Sequence, residues 1–383
     1  MTVVTPIVWV LTGVYILVLC YFLLGIIIRT FFNPPYSLRS SKRSFADTTR
    51  DSQNIIQSQP LTASVIVCAR NEERSIRKCI QSLLSQTIPV QIIIVDDRST
   101  DSTPVILASF GDAITVVRID TCPEGVSPKK NALLHGIRYA HGDILMLTDA
   151  DCTVPLQWVE LHCTQYADSI GLCAGLVFVK EKNFWHRLIN FELYALSLCT
   201  AGAIGMGNPM IATGNNLSYR KSAYLDAGGI EPLLLIDSGD DDLMVQAIAR
   251  TGKWGSTFCS DPRSFVATEP VESVSAFIRQ RRRWASRGLD YPWWLIMILG
   301  SIYMMFVVFA VVPIGLTLSF ASWRMLIVPI VSACCMEIIV LTAGFYIFKR
   351  LSLLIYYPIV KILHVPYILL MPILGIFRGF TWK

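Results

Sequence analysis

Residues 144–153 read Ile-Leu-Met-Leu-Thr-Asp-Ala-Asp-Cys-Thr, and this stretch decides the fold. Its apolar first half, residues 144–147, is typical of a buried strand in a parallel sheet. Alternate side chains of an extended backbone share one face, so we expect Asp149 and Asp151 to point the same way beyond the strand. Two adjacent carboxylates repel each other unless a cation lies between them, and hard oxygen ligands suit Mg²⁺ or Mn²⁺. A polar turn, which Asp also favours, is the alternative for so short a motif.

The apolar residues of the chain collect at its two ends. Of 383 residues, 53% are hydrophobic and 16% are charged, which is more apolar than a typical soluble domain. The net charge of +5 suits an inner membrane surface or an anionic substrate, and nucleic acid is not needed to explain it. The 11 cysteines include no Cys-x-x-Cys pair, which excludes a zinc site or a disulfide framework and indicates a reducing compartment.

The first 30 residues predict an uncleaved membrane anchor. Residues 7–28 carry no charge and would span roughly 33 Å as a helix, enough to cross the hydrocarbon core. A signal peptide would have a positive start and a shorter apolar core. Basic residues follow the segment, from Arg29 to Arg50, so the positive-inside rule places the polar linker at 31–60 and the next domain in the cytoplasm.

The C-terminal region, residues 291–383, predicts two or three further spans. Residues 293–320 and 325–348 are each apolar and long enough, and Lys349 and Arg350 after them favour a cytoplasmic loop. Residues 351–377 contain Lys361 and His364, so this segment either spans the membrane or folds back as a hairpin. Earlier in the chain, residues 183–197 are rich in aromatic and aliphatic side chains. They form either an interfacial helix or one buried in the protein, and the sequence favours neither.

Residues 61–290 between these regions predict an α/β domain. Helical patterns separate short β-branched or apolar runs, which indicates a mostly parallel sheet with helices on both faces. The predicted strands lie at residues 65–68, 92–95, 114–117 and 144–147. Polar clusters follow three of them, at residues 69–73, 96–101 and 149–151. Because ligands bind beyond the carboxyl ends of such strands, we expect the three clusters to form one site.

No glycine-rich phosphate loop follows the first predicted strand, so a Rossmann dinucleotide site or a P-loop is excluded. Phosphate would then be neutralised by a metal and by basic residues, for which Arg70, Lys129 and Arg283 are candidates. Three consecutive acids, residues 240–242, open a predicted helix. The helix dipole explains one or two of them and leaves one as a candidate base. Residues 280–284 read Gln-Arg-Arg-Arg-Trp at the end of a helix, and a basic patch at the membrane surface is their alternative interpretation.

Taken together and in this order, the motifs resemble those of family 2 glycosyltransferases with the GT-A fold. The membrane-embedded branch that includes cellulose synthase and hyaluronan synthase is the most similar. The opening strand and polar loop match at 65–73, and Asp96-Asp-Arg-Ser-Thr-Asp101 is similar to the family's Asp-Asp-Gly-Ser-Thr-Asp, with Arg98 in place of Gly. Residues 129–133 fit Lys-x-x-Ala-Leu, residues 149–151 look like the metal motif, and residues 280–284 fit Gln-x-x-Arg-Trp.

The resemblance implies roles for particular residues. Asp96 and Asp97 would hold the base and ribose of a nucleotide, while Asp149 and Asp151 would hold the ribose and a Mg²⁺ or Mn²⁺ on the diphosphate. Gln280, Arg283 and Trp284 would close over the diphosphate and the acceptor. The full predicted nucleotide-sugar site comprises Arg70, Glu72, Asp96, Asp97, Lys129, Asp149, Gln280, Arg283 and Trp284.

The predicted catalytic base is less sharply defined by the resemblance. The family's Thr/Ser-Glu-Asp is replaced here by Ser238-Gly239-Asp240. Alignment on Leu243 makes Asp240 the base, and its neighbour Asp241 stays open as the alternative.

These observations predict a multi-pass protein of the cell inner membrane with a cytoplasmic catalytic domain. Its expected reaction is inverting transfer of a sugar from a nucleotide sugar, with a UDP-sugar expected, to a lipid or lipid-linked glycan. A processive polysaccharide synthase of the same family is the alternative, and the small number of spans favours the lipid acceptor. A sugar nucleotidyltransferase and a non-catalytic membrane scaffold are more remote alternatives.

Overall fold

The structure, a computed structural model, describes residues 4–32, 61–236, 239–271, 273–286, 288, 290–317 and 323–376. The predicted linker at 31–60 lies outside these ranges apart from its first two residues, as does Ser238 of the predicted base motif. The α-helices are α1 (Val4–Ile27), α2 (Ile76–Leu84), α3 (Thr103–Ala108), α4 (Pro128–Arg138), α5 (Trp158–Cys163), α6 (Phe184–Gly205), α7 (Lys221–Asp226), α8 (Asp242–Arg250), α9 (Val274–Ala285), α10 (Trp293–Thr317), α11 (Trp323–Ile347) and α12 (Tyr357–Ile376). The strands are β1 (Ala63–Ala69), β2 (Gln91–Asp97), β3 (Thr115–Ile119), β4 (Ile144–Leu147), β5 (Cys152–Thr153), β6 (Ile170–Gly175), β7 (Val177–Val179), β8 (Leu217–Arg220), β9 (Gly255–Cys259) and β10 (Val266–Thr268).

The chain divides into two compact units. As far as the structure describes them, one unit consists of residues 4–26, 181–202 and 270–376, which we call the helical unit. The other consists of residues 27–32, 61–180 and 203–269, which we call the sheet unit.

The sheet unit is built on a seven-stranded sheet with the order β3-β2-β1-β4-β8-β6-β9. Strands β1 to β4 pair in parallel, which confirms the predicted α/β sheet. Strand β8 runs antiparallel between β4 and β6, a reversal that the sequence pattern does not encode. A smaller sheet has the order β5-β10-β7.

Helices cover both faces of the central strands, as predicted. Val65 and Val67 of β1 are buried in one core with the apolar side of α2. On the other face α4 approaches very closely, because a Cβ at Gly136 would lie 2.6 Å from Ile66 and 2.8 Å from Val95. This packing holds the last turn of α4 against β1 and β2, and the opposite end of the helix carries Lys129.

Five helical segments are long and apolar enough to cross a membrane: 5–30, 184–205, 293–313, 327–347 and 351–375. Three of them lie in the predicted C-terminal region. In that region a short 3₁₀ segment, Leu351–Tyr356, leads into the single helix α12, so the described residues show no hairpin there. The segment for which the sequence left an interfacial and a buried helix open is α6. Of its most apolar stretch, 78% is buried within the structure, which favours the buried helix.

Candidate active site

A lysine joins two of the predicted site carboxylates at the carboxyl end of the sheet. Lys129 lies in the first turn of α4, Asp149 follows β4, and Asp240 precedes α8. The Lys129 Nζ atom lies 3.0 Å from Asp240 Oδ2 and 3.2 Å from Asp149 Oδ1. The three side chains line a pocket whose wall also includes Ile66 of β1 and Gly214. Residues that are far apart in the chain therefore meet around one ammonium group.

The neighbouring acids Asp241 and Asp242 make backbone contacts instead. Asp241 caps α8 by accepting a hydrogen bond from Asp242 N at 2.8 Å, and it accepts a second from Gly214 N at 2.9 Å. Asp242 accepts from Ala212 N at 3.0 Å. The two side chains thus hold the 212–214 segment against the start of α8, a role that the helix-dipole interpretation explains only in part.

The electrostatic environment of Asp241 disfavours its ionised form. Burial and the neighbouring charge of Asp240 raise the pKa of Asp241, and the Lys129 ammonium offsets part of the rise. Burial also raises the pKa of the Cys68 thiol, which lines the same pocket and is therefore neutral at physiological pH. The pocket offers carboxylates and one ammonium as its charged groups.

The structure brings Arg70, Asp96 and Asp97 together at the ends of β1 and β2. Asp97 is fully buried and its Oδ2 atom lies 3.8 Å from the Arg70 guanidinium. Asp96 is also buried, and it pairs with Arg118 and accepts a hydrogen bond from Ser99 N at 3.2 Å. The Arg70 Nε atom is buried and has no hydrogen-bond partner among the described residues, so a donor remains open at this end of the site.

Arg98 differs in structure as well as sequence from the glycine it replaces. Its backbone φ of 57° lies in the left-handed region that favours glycine. Its guanidinium pairs with both oxygens of Asp97, at 2.7 and 3.1 Å. The carboxylate that the resemblance assigns to the nucleotide is therefore already engaged by two arginines.

The polar loop after β1 also includes Glu72, which is half-buried. Its backbone N–H donates to Thr103 Oγ1 at 2.8 Å, and its carbonyl accepts from Ser75 and Ile76 at the start of α2. These contacts hold the loop in place.

The backbone between the two predicted metal carboxylates is not extended. It turns after Asp149, because Cys152 N donates to the Asp149 carbonyl at 3.0 Å. We predicted that Asp149 and Asp151 share a face because the backbone between them would be extended, and that prediction of an extended backbone is wrong. The structure contains the polar turn that was the alternative interpretation. Among the described residues, no group of three or more His, Cys, Asp and Glu could hold a metal ion. A Mg²⁺ that takes one or two carboxylates and completes its shell with water and phosphate still fits the residues present.

Gln280, Arg283 and Trp284 lie in α9 of the helical unit, while the other predicted site residues lie in the sheet unit. The helix ends at Ala285, as the sequence predicts. Arg283 is half-buried and Trp284 is exposed.

The sequence analysis missed several polar residues. Lys130 is fully buried, and its Nζ donates to the carbonyls of Leu233 and Ile236 at 2.9 and 2.8 Å. The hydroxyl of Thr148 lines the pocket and has no partner within the described part of the chain. Glu192 of α6 was also missed, although the sequence does single it out. It is the one acid in an otherwise mostly apolar helix, and a buried acid in such a segment often has a functional role.

Comparison with known proteins extends these observations. Residues 64–226 match the family model of glycosyl transferase family 2. The chain is 29% identical over 267 residues to a beta-monoglucosyldiacylglycerol synthase of Nostoc sp., covering 65% of this chain and 54% of that protein. It is 33% identical over 90 residues to a 4,4'-diaponeurosporenoate glycosyltransferase of Staphylococcus aureus, covering 24% of each. The chain spans about half the length of the synthases that it matches.

A solved structure has the same fold. A mannosyltransferase from Pyrobaculum calidifontis, in complex with GDP-Man and Mn²⁺, superposes with a TM-score of 0.51 at 16% identity. The match covers 92% of this chain and 99% of that one. The predicted fold class and the resemblance carried by the motifs are thereby confirmed.

Proposed function

We propose that this chain, whose residues 64–226 match the family model of glycosyl transferase family 2, is a membrane-bound inverting glycosyltransferase. In this proposal it moves a sugar from a UDP-sugar to a lipid or lipid-linked glycan. The observation that carries the proposal is the contact of Lys129 with both Asp149 and Asp240. The contact supports the proposal because the candidate base then lies beside a candidate diphosphate-site carboxylate, at the edge of the sheet where ligands bind in such folds.

Asp240 is the proposed general base. Inverting transfer needs a group that takes the proton of the acceptor hydroxyl as that oxygen attacks the sugar carbon opposite the leaving diphosphate. Asp240 is buried and lies at the pocket, and the Lys129 ammonium 3.0 Å away orients its carboxylate. Asp241 is committed to two backbone N–H groups, which supports the assignment to its neighbour.

Asp149 and Asp151 would hold a Mg²⁺ or Mn²⁺, which would neutralise the charge that grows on the leaving diphosphate. Lys129 supplies a further positive charge at the pocket, and Arg70 has an open donor at the nucleotide end. In the same proposal Asp96 and Asp97 bind the base and ribose, Glu72 belongs to the nucleotide loop, and Gln280, Arg283 and Trp284 act on the diphosphate and acceptor.

The lipid acceptor is supported by the names of the relatives and by the five candidate spans. We propose the topology that the basic residues predict, with residues 61–290 as a cytoplasmic domain of an inner-membrane protein. A processive polysaccharide synthase stays the second candidate. The structure contains five candidate spans, whereas the sequence predicted three or four. The number of spans is therefore a weaker argument against a polymer-conducting synthase than the sequence suggested.

The test is transfer by the purified full chain in lipid nanodiscs. A panel of radiolabelled UDP-sugars would be supplied with a native lipid extract and with Mg²⁺ or Mn²⁺, and products would be separated by thin-layer and size-exclusion chromatography. We expect one labelled lipid of low mass that forms only with the metal. A long polymer would establish the second candidate. The absence of a labelled product with every sugar would refute transfer from a UDP-sugar, and a product that forms equally well without the metal would refute the metal dependence.

The variant Asp151→Asn tests the metal assignment within the same assay. Loss of a carboxylate ligand should weaken the cation and its hold on diphosphate, so turnover should fall at every metal concentration that saturates the unsubstituted chain. Unchanged turnover over a full Mg²⁺ and Mn²⁺ titration would show that Asp151 is not a ligand. The melting temperature serves as the control for folding.

A further inference from the structure

Two clusters of charged side chains are buried inside the helical unit, and they differ in how completely their polar atoms are satisfied. Charged groups within candidate spans are costly to bury and commonly mark functional sites. The first, which we call the closed cluster, centres on Glu337 of α11. Its Oε1 accepts from Tyr15 at 2.6 Å and from Lys361 at 2.5 Å, and its Oε2 accepts from Tyr357 at 2.6 Å. Every member has a partner, so this cluster needs no ligand.

The second, which we call the open cluster, centres on Glu192 of α6. Its Oε2 accepts from Arg281 NH2 at 2.7 Å, and its Oε1 accepts from Tyr367 at 2.9 Å. Arg281 is only 2% exposed. Its Nε and NH1 atoms are nevertheless buried without a hydrogen-bond partner among the described residues. Buried guanidinium donors are nearly always satisfied in proteins, so these two indicate a ligand.

The geometry around Arg281 restricts where that ligand binds. Aromatic rings cover the guanidinium, with its central carbon 4.0 Å from the ring centroid of Trp284 and 4.8 Å from that of Phe277. The N–H bonds of Nε and NH1, which lie in the plane of the guanidinium, remain for new contacts. Helix α9 is also held in place, because a Cβ at Gly375 of α12 would lie 2.9 Å from the backbone of Ala285. The open donors are therefore fixed in position.

The charge of the open cluster restricts the chemistry of the ligand. Arg281 and Glu192 neutralise each other, so an anion would bring an uncompensated charge into apolar surroundings. The open atoms are donors, and they require an oxygen that accepts hydrogen bonds. An uncharged hydroxyl or ester oxygen meets both conditions. The exposed apolar side chains Leu363 and Leu370, on the same helix as Tyr367, offer a surface for acyl chains.

We propose that the two open donors of Arg281, a residue that Glu192 holds in place, bind a hydroxyl or ester oxygen of an uncharged glycerolipid, of the diacylglycerol type. The open cluster is then the site that recognises the acceptor lipid. This inference rests on the proposed function, because it takes the acceptor to be a lipid.

The test uses photochemical labelling, which needs no turnover. The full chain in phosphatidylcholine nanodiscs is irradiated with a photoactivatable diacylglycerol, and labelled peptides are mapped by mass spectrometry. The variant Arg281→Lys keeps the positive charge beside Glu192 but loses the planar fork with its two open donors. The double variant Arg281→Met/Glu192→Leu removes the ion pair without leaving a lone charge. The matched control is Lys361→Met/Glu337→Leu, which removes the ion pair of the closed cluster.

We expect labelled peptides from α6, α9 and α12 in the unsubstituted chain. Labelling should fall about tenfold in both open-cluster variants, since two hydrogen bonds are lost, and should persist in the control. Equal labelling in all variants, or none at these helices in the unsubstituted chain, would overturn the proposal. Stronger displacement of the probe by phosphatidic acid or a polyprenyl phosphate than by unlabelled diacylglycerol would overturn the assignment to an uncharged lipid. Specific labelling without sugar transfer would refute the proposed function and leave the lipid site standing.

Discussion

Replacing Asp240 by Asn tests the proposed base while changing little else. The side chain keeps its size and can still accept a hydrogen bond from Lys129, whose Nζ lies 3.0 Å from Asp240 Oδ2. What it loses is basicity, and loss of a general base typically lowers the rate by about 10² to 10⁴. The ion pair becomes a hydrogen bond from the Lys129 ammonium to a neutral amide oxygen, which costs at most about 1 to 2 kcal/mol of unfolding free energy. Lys129 keeps its contact with Asp149, so the pocket should stay folded.

The assay separates chemistry from donor binding. Transfer is measured with the UDP-sugar and lipid identified by the panel, and UDP affinity by calorimetry on the same preparation. We expect the transfer rate to collapse while UDP affinity stays within about threefold, because the proposed nucleotide contacts at Asp96 and Asp97 lie at the end of β2, whereas Asp240 precedes α8. A variant that transfers at more than a tenth of the original rate would refute the assignment of the base.

Asp241→Asn is the matched control. An amide oxygen can replace only one of the two carboxylate contacts with Gly214 and Asp242, so about 1 kcal/mol of stability should be lost. The raised pKa of Asp241 means that its ionised form is already disfavoured in this position, which limits the cost of making it neutral. Transfer should remain within about tenfold of the original rate. If Asp241→Asn collapses transfer and Asp240→Asn does not, the base is Asp241.

Three further predictions concern the sheet unit. The variant Arg98→Gly relieves a left-handed backbone and removes the Arg98 guanidinium from the Asp97 carboxylate. Calorimetry should therefore show UDP binding about fivefold tighter, and unchanged or weaker binding would contradict this prediction. Burial lowers the pKa of His162 to about 4, so stability that is present above pH 6.5 should be lost as the pH falls toward 4. The loss should be about 2 kcal/mol at pH 5 and absent in His162→Gln, as measured by chemical unfolding. Finally, a membrane-impermeant maleimide should label Cys122 only after cells are permeabilised, and labelling of intact cells would reverse the proposed topology.

The central strands were predictable because each is a buried apolar run that ends in a polar cluster. Burial on both faces leaves little choice of residue in β1, β2 and β4, so hydrophobic pattern and position along the chain are enough. The antiparallel direction of β8 was not predictable, because Leu217–Arg220 has the same local pattern in either direction. The extended backbone expected at Asp149–Asp151 was wrong, since a local i to i+3 hydrogen bond competes successfully with continuation of the strand.

Three of the predicted site residues, Lys129, Asp149 and Asp240, line one pocket, but the contacts among them were not predictable from the sequence. Asp96, Asp97, Asp149 and Asp240 carry motif signals in the sequence, whereas their partners depend on three-dimensional packing. Lys129 and Lys130 are adjacent and identical, yet one contacts two carboxylates and the other two carbonyls. Helix geometry turns successive side chains by about 100°, and only the position of α4 against the sheet decides which of them faces the pocket.

The contact of Lys129 with two carboxylates also bears on the order of binding. Asp149 and Asp240 carry two negative charges around one ammonium, so the proposed site has a net charge of −1 before Asp151 is counted. A diphosphate alone would add negative charge to this site, and repulsion would oppose its binding. Together with a divalent cation the same diphosphate adds little net charge, while the carboxylates at 149 and 151 gain a counter-ion. In this proposal Lys129 stays between the two carboxylates throughout, and the donor and metal are expected to enter together.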